Sequence, residues 1–164
     1  MAEEIERKFL TRNSSWRRNA RGIHCRQGYI TRNIRRLVRV RVIGRRAYLA
    51  VKGKKDNFAR YEFEYPIPRG DADEMLDLIC MKPLIEKKRY KVHYKGMTWE
   101  IDDFMGANEG LVVAEVELKT KDQKIDLPPW TGVEVTLDPR YYNFNLVRHP
   151  FSRWPDRDVL IQGR

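Results

Sequence analysis

Hydrophobic and charged residues alternate along most of the chain, and this alternation predicts β-strands. The first example is EIERKFL, residues 4–10. Because successive side chains of a strand point to opposite faces, Glu4, Glu6 and Lys8 would share one face, with Ile5 on the other. The chain therefore begins with a predicted strand that carries a row of charges on one side.

The same period of two returns in eight later segments, so the sequence predicts about eight or nine strands, spaced as in an all-β sandwich or barrel. The segments are residues 22–30, 36–42, 47–53, 59–67, 84–94, 98–104, 111–119 and 132–137. Helices are few: residues 71–80 begin with a capping-box pattern, 140–149 predict a C-terminal helix, and 11–20 a short helical turn. Residues 154–164 show no clear element, so we expect one domain over residues 1–150 and a tail over 151–164.

Length and composition favour a soluble, mainly β domain. The 164 residues are 41% hydrophobic and 34% charged, which suits one domain with a sizeable core. No targeting segment is visible and the apolar runs are too short to cross a bilayer, so we expect no membrane partner. Cys25 and Cys80 fit neither a disulfide framework nor a zinc spacing, which predicts a reducing, cytoplasmic location.

The charges are unevenly distributed along the chain. The net charge is +10, and residues 12–60 hold 16 Lys or Arg but a single acid, Asp56. Residues 61–120 hold 13 acids and 8 bases. A basic half predicts an anionic partner, and an acidic half predicts a cation as well. A complex of a metal ion with a phosphorylated small molecule would satisfy both.

Charges of one sign are grouped by strand, which a merely solvated sheet face would not require. Glu-x-Glu recurs at 4/6, 62/64 and 115/117, with Arg-x-Arg at 39/41 and Lys-x-Arg at 87/89. Such neighbours lie roughly 7 Å apart. Their repulsion is about 0.6 kcal/mol in water and about 2.4 kcal/mol at an effective dielectric of 20. A single strand of this kind usually has one face in solvent. Five like-charge pairs instead favour a closed barrel whose interior holds ligands of both signs.

A charged interior would place the apolar residues on the outside of the barrel. Helices or a partner subunit must then cover them, and we expect a homodimer through this outer face. The outward residues would be Ile5, Phe9, Val38, Val40, Phe63, Trp99, Ile101, Val116 and Leu118.

The residue types indicate the chemistry of the interior. Carboxylates without His or Cys bind hard cations, which predicts Mg²⁺ or Mn²⁺. Arginine forks match phosphate oxygens, and lysines act as point charges. A metal-dependent hydrolase of a compact polyphosphate would use both sets. A non-enzymatic barrel that binds RNA or polyphosphate is the alternative, although we do not expect a nucleic-acid partner.

Seven segments in order resemble the CYTH superfamily, the triphosphate tunnel metalloenzymes: EIERK, VRVR, AVKG, RYEFEY, EKKRY, WEIDDF and AEVEL, within residues 3–120. RYYNFNL resembles the C-terminal helix of the family. The resemblance implies a closed eight-stranded antiparallel barrel, flanked by a few helices, that binds triphosphate in its tunnel with one or two divalent metals. Members include inorganic, thiamine and RNA triphosphatases and class IV adenylate cyclases. The chain is most similar to the bacterial inorganic triphosphatases, which release pyrophosphate and phosphate.

The resemblance also implies roles for individual residues. Glu4, Glu6 and Lys87 would be catalytic, with one glutamate activating water and the choice between them left open. Phosphate would contact Lys8, Arg39, Arg41, Lys52, Lys87 and Arg89. The metal would be bound, directly or through water, by some of Glu4, Glu6, Glu62, Glu64, Asp102, Glu115 and Glu117. Seven arginines outside the rows would either steer anions at a tunnel mouth or keep the protein soluble: Arg17, Arg18, Arg21, Arg35, Arg36, Arg45 and Arg46.

Overall fold

The structure is a computed structural model that describes residues 3–18, 20–57 and 59–162. Nine strands carry most of the fold: β1 Glu3–Thr11, β2 Ile23–Tyr29, β3 Arg36–Ile43, β4 Arg46–Lys54, β5 Ala59–Pro66, β6 Ile85–Tyr94, β7 Met97–Phe104, β8 Val112–Glu117 and β9 Thr131–Glu134. The α-helices are α1 Arg69–Leu78, α2 Asn143–Arg148 and α3 Arg157–Gln162. Short 3₁₀ turns occupy Ser15–Arg17, Gly106–Asn108, Pro139–Tyr141 and Phe151–Arg153.

The first eight strands form a closed antiparallel barrel. Their order is β5-β4-β3-β2-β6-β7-β8-β1, and β1 pairs with β5 to complete the circle. The added strand β9 also pairs with β1, where Phe9 lies opposite Glu134. The predicted closed eight-stranded barrel with a few helices is confirmed, and β9 extends it.

One side of the outer wall is covered by helix α1. Ala72 and Leu76 of this helix are buried against Val40, Val42 and Ala47 of β3 and β4. The helix begins three residues earlier than its capping pattern predicts, because its N-cap is Pro68 and not Asp71. Its apolar stripe removes this part of the barrel from water, as the inverted pattern of the strands requires.

Connecting loops cover the opposite side, where the sequence led us to expect helices or a partner subunit. Trp16, in the short helical turn after β1, packs edge-on against Tyr90 with ring centroids 5.0 Å apart. Trp130, just before β9, lies 5.4 Å from Trp99, which in turn packs against Phe9. Large aromatic side chains on loops can bury such a face without a further layer of helices.

A third part of the outer wall stays open to solvent. Val51 and Phe63 lie directly opposite each other on β4 and β5, and each is 44% exposed. Tyr65, two residues further along β5, is 57% exposed. These three residues form the open apolar face of the barrel.

The C-terminal segment closes one end of the barrel. Phe144, Leu146 and Val147 of α2 are buried in one cluster with inward residues at that end, among them Leu10, Leu37 and Phe104. Burying each such side chain contributes about 1.5–3 kcal/mol. The predicted helix over 140–149 is present as a 3₁₀ turn followed by α2.

Residues 151–162 are more ordered than the sequence indicates. Phe151 and Trp154 are buried in the same cluster as α2, and their rings contact each other with centroids 5.1 Å apart. Helix α3 follows, where the sequence predicts no clear element, and its Ile161 packs against this cluster. None of the described helices has the length and apolar character that crossing a membrane would require.

Candidate active site

Inward side chains of all eight barrel strands enclose a cavity of about 570 Å³, here called the tunnel. The basic residues that line it are Lys8, Arg39, Arg41, Lys52, Arg60, Lys87, Arg89 and Lys91. The acidic residues that line it are Glu4, Glu6, Glu62, Glu64, Glu100, Glu115 and Glu117. Asn143 and Phe144 of α2 form part of its lining, so the helix that closes the barrel also contributes to the site.

Lys8 lies between two carboxylates on adjacent strands. Its Nζ is 2.7 Å from Glu6 Oε1 and 2.6 Å from Glu115 Oε1, and Lys8 lies directly opposite Glu115 in the β1–β8 register. Burial by itself lowers the pKa of this lysine, but the carboxylates of Glu115 and Glu6 outweigh it and raise the pKa above its usual value. Lys8 is therefore a permanent cation.

The two arginines of β3 share the glutamates of β5. Arg39 Nη2 donates to Glu62 at 2.9 Å and to Glu64 at 2.8 Å, and Arg41 Nη2 donates to Glu64 at 3.0 Å. Among the described residues, the Nε atoms of both arginines are buried without a hydrogen-bond partner. An unsatisfied buried donor is costly, so the ion pairs with Glu62 and Glu64 must offset this cost in holding the two guanidiniums in place.

Lys87, Arg89 and Asp102 form the most buried ion cluster of the tunnel wall. Asp102 Oδ1 accepts from Arg89 Nε at 2.7 Å, and Oδ2 accepts from Arg89 Nη2 at 2.8 Å and from Lys87 Nζ at 2.6 Å. Lys87 Nζ also donates to Asn143 Oδ1 at 3.1 Å. Burial lowers the pKa of Lys87, and it outweighs the opposing effect of Asp102. Asp102 is not among the residues that line the tunnel.

Glu117 differs from the other tunnel carboxylates. Among the described residues it has no ion-pair partner, and its side chain is exposed within the tunnel. Burial raises the pKa of Glu117, and so do the charges of Glu4 and Glu6. The neighbouring carboxylates therefore form a negative region around Glu117 that a cation would stabilise.

The donor set of this region suits a hard divalent cation, since it consists of carboxylate oxygens alone. Within the described part of the chain, however, no three His, Cys, Asp or Glu side chains are already grouped as a metal site. Glu6 is paired with Lys8, and Glu4 with Lys52 at 3.0 Å. A cation would have to compete with these lysines, which an anionic substrate could attract in turn.

The tunnel therefore brings together every predicted site residue except Asp102, which lies behind its wall. It also contains Arg60, Lys91 and Glu100, to which the sequence assigned no role in the site. Each lies two residues from a predicted site residue on the same strand, so the period of two places all three on the inward face. Asn143 had no such signal, because it approaches Lys87 only through the packing of α2 on the barrel end.

None of the seven arginines for which the sequence left two possible roles lines the tunnel. Arg17 is held on the outer wall, where its Nη2 pairs with Asp103 Oδ2 at 2.7 Å and its guanidinium lies over the Trp16 ring at 4.5 Å. The excess positive charge of the chain is therefore largely external, since the acids and bases that line the tunnel are nearly equal in number.

A closed barrel with a charged interior and an apolar outer face defines a β-barrel tunnel protein. The CYTH domain matches residues 2–145, and the chain belongs to the CYTH domain family. An inorganic triphosphatase of Acetivibrio thermocellus is 47% identical over 156 residues, which are 95% of this chain and 100% of that protein. One of Nitrosomonas europaea is 34% identical over 144 residues, 85% of this chain and 93% of that protein. A crystal structure of an inorganic triphosphatase superposes with a TM-score of 0.66 and 31% identity, over 90% of this chain and 95% of that one.

Proposed function

We propose that this protein is a hydrolase that converts inorganic triphosphate to pyrophosphate and phosphate inside the tunnel. The observation that carries the proposal is the convergence of eight basic side chains on one cavity of about 570 Å³ that is closed at one end by α2. Phosphoryl transfer depends mainly on positioning and on neutralising charge. The family membership and the two similar inorganic triphosphatases support the same substrate.

The chain's own residues would hold and orient the substrate. We propose that six basic side chains contact the phosphate oxygens: Lys8, Arg39, Arg41, Lys52, Lys87 and Arg89. The reaction adds water to a terminal phosphorus and breaks the P–O–P bond to its neighbour. Arginine and lysine donors form charge-assisted hydrogen bonds with phosphate oxygens, which favours the bound state.

We further propose that Mg²⁺ or Mn²⁺ is required and that Glu4, Glu6 and Glu117 are the principal carboxylates that hold it. When bound, such a cation neutralises charge on the phosphate oxygens and activates water. One of the first two glutamates, together with Lys87, would assist the attacking water. The crowding of carboxylates that raises the pKa of Glu117 supports this location.

Phosphate release from a panel of substrates tests the proposal. Purified protein is incubated with triphosphate, ATP, thiamine triphosphate and pyrophosphate, each with Mg²⁺, with Mn²⁺ or with EDTA. We expect the highest kcat/KM on triphosphate and none in EDTA. Equal rates on ATP would argue against the inorganic substrate, and formation of cyclic AMP would indicate a cyclase. Metal-independent RNA binding without phosphate release would favour the binding-protein alternative.

We propose that the open apolar face, Val51, Phe63 and Tyr65, joins two copies of the chain. Its exposure is the supporting observation, since exposed apolar patches mark interaction sites. Sedimentation velocity of wild type, Phe63→Ser and the control Leu78→Ser tests this. A dimer that only Phe63→Ser dissociates is expected, and a wild-type monomer at all concentrations would contradict it. A cytoplasmic location is also proposed, supported by the two buried free cysteines.

A further inference from the structure

Asp102 lies on β7 beside the tunnel and is completely enclosed by protein. Its side chain is 0% exposed. Both carboxylate oxygens accept hydrogen bonds from cations of the neighbouring strand β6, at 2.6–2.8 Å. Arg89 binds it with two nitrogens, one on each oxygen, and the two residues are directly opposite in the β6–β7 register. Arg89 and Lys87 therefore occupy both oxygens of the carboxylate.

The cations that Asp102 binds do line the tunnel. A guanidinium held at two points has one orientation, whereas a free arginine samples many rotamers. Lys87 is fixed in a similar way, because Asp102 and Asn143 both accept from its Nζ. Glu100 also accepts a hydrogen bond from Arg89, through Nη1 at 2.5 Å. Asp102 is the group that contacts both cations, and it helps to set the direction in which they face the tunnel without lining the tunnel itself.

A divalent cation on Asp102 would have to displace both of these partners. Glu117 has the opposite surroundings: it is exposed within the tunnel, and among the described residues no cation is paired with it. Arg89 would keep its ion pairs with Glu100 and Glu115. Lys87, whose side chain is 1% exposed, would lose the only carboxylate paired with it among the described residues, and a buried charge is tolerated only when it is paired. The cation site is therefore expected on the Glu117 side of the tunnel.

We propose that Asp102 is a positioning residue that orients Arg89 and Lys87 toward the phosphates of the substrate, and that it does not bind the metal. The proposal rests on the proposed function for the identity of the phosphate ligand. It assigns Asp102 a different role from the one that the family resemblance implies.

Asp102→Asn tests this role, because it keeps the size of the side chain and removes the charge that fixes the guanidinium. With saturating Mn²⁺ we expect a higher KM for triphosphate and a kcat/KM lower by about 10- to 100-fold. Loss of folded protein alone would lower the apparent kcat and leave KM unchanged. The affinity of the substrate-free protein for Mn²⁺, measured by electron paramagnetic resonance of the free ion, should stay at the wild-type value.

Two matched variants control the measurement. Glu117→Gln should weaken Mn²⁺ binding, and Asp103→Asn, which alters the adjacent outer carboxylate, should keep the wild-type KM. If Asp102→Asn does not fold, Asp102→Glu is measured in the same way. It retains the charge but displaces the guanidinium, so KM should again rise at unchanged Mn²⁺ affinity.

The proposal is overturned if Asp102→Asn, or Asp102→Glu in its place, loses Mn²⁺ affinity as far as Glu117→Gln does. Wild-type KM and kcat/KM in the same variant would overturn it as well. Mn²⁺ binding is measured without substrate, so it stays informative even if wild-type protein proves not to hydrolyse triphosphate. In that event the proposed function fails, and calorimetric affinity for triphosphate takes the place of KM.

Discussion

At the scale of single residues, the unpaired carboxylate of Glu117 indicates where a cation would stabilise the tunnel. In the described part of the chain, the other tunnel carboxylates each have a lysine or arginine within ion-pair distance, as Glu115 has Lys8 at 2.6 Å. Glu117 has none, and its pKa is raised by burial and by the neighbouring glutamates. At neutral pH its charge is therefore a destabilising feature of the free protein.

Replacing Glu117 should separate stability from activity. We expect Glu117→Gln to lower kcat/KM at least about 100-fold, since charge stabilisation by a bound metal is worth several kcal/mol. Thermal stability at neutral pH should stay level or rise, because the repulsion is removed. Activity assays and melting curves check both, and an active variant of wild-type metal affinity would contradict the role.

The raised pKa of Glu117 also predicts how the stability difference between Glu117→Gln and wild type changes with pH. Because the pKa of Glu117 is raised in the folded protein, the folded state takes up its proton more readily than the unfolded state. The stability advantage of Glu117→Gln should therefore shrink as the pH falls toward about 4.3, the ordinary pKa of glutamate. An advantage that grew on acidification would contradict the direction of this shift.

Replacing Arg41 tests the role of the basic side chains that line the tunnel. We expect Arg41→Ala to lower kcat/KM for triphosphate by about 10- to 100-fold, the effect of losing one hydrogen bond to a charged group. Excess Mn²⁺ should not restore activity. Arg46→Ala is the matched control, because Arg46 is exposed and does not line the tunnel. If the two variants were equally active, Arg41 would not be a substrate-binding residue.

At the scale of elements, strand register explains where the cations and carboxylates meet. Opposite charges face each other in the pairs Lys8–Glu115 and Lys52–Glu62. Two pairs of glutamates also face each other: Glu6 and Glu117 on β1 and β8, and Glu100 and Glu115 on β7 and β8. Directly opposed like charges destabilise a sheet, so the β1–β8 side of the barrel is the side that a cation would stabilise.

The C-terminal elements have a structural role that can be measured. Trp154 is buried against Tyr141 and Phe151. Trp154→Ala should lower the free energy of unfolding by about 3–5 kcal/mol, as for other buried tryptophans. Val159→Ala, at an exposed position of α3, should change it by less than about 0.5 kcal/mol. Denaturant unfolding compares them, and equal midpoints would mean that residues 151–162 do not support the closed end.

At the scale of the whole molecule, the net charge of +10 lies mostly outside the tunnel. A basic exterior attracts an anionic substrate over a range set by the Debye length, about 30 Å at 0.01 M salt and about 3 Å at 1 M. We expect kcat/KM for triphosphate to fall as salt is raised over this range while kcat changes less. Stopped-flow and steady-state assays in a salt that does not bind the metal check this, and a salt-independent kcat/KM would contradict it.

The sequence by itself determined most of the tunnel lining and favoured a closed barrel, and the CYTH resemblance implied its eight strands. A period of two fixes which side chains share a face, and the like-charge rows favour a closed barrel over a solvated sheet because their repulsion has no compensation on a solvated face. Arg39, Arg41, Lys87 and Glu117 could be placed inside for this reason alone. The period of two also places Arg60 of β5 and Glu100 of β7 on the inward faces of their strands.

Only the tertiary structure decided which charges reach the tunnel and what covers the barrel. Asp102 and Glu117 obey the same alternation, yet one is paired with two cations of β6 and the other is exposed opposite Glu6, because strand register sets the neighbours of each position. Asn143 reaches Lys87 through packing between segments 56 residues apart. Such contacts depend on how elements dock, and a local pattern of hydrophobic and polar residues carries no information about docking.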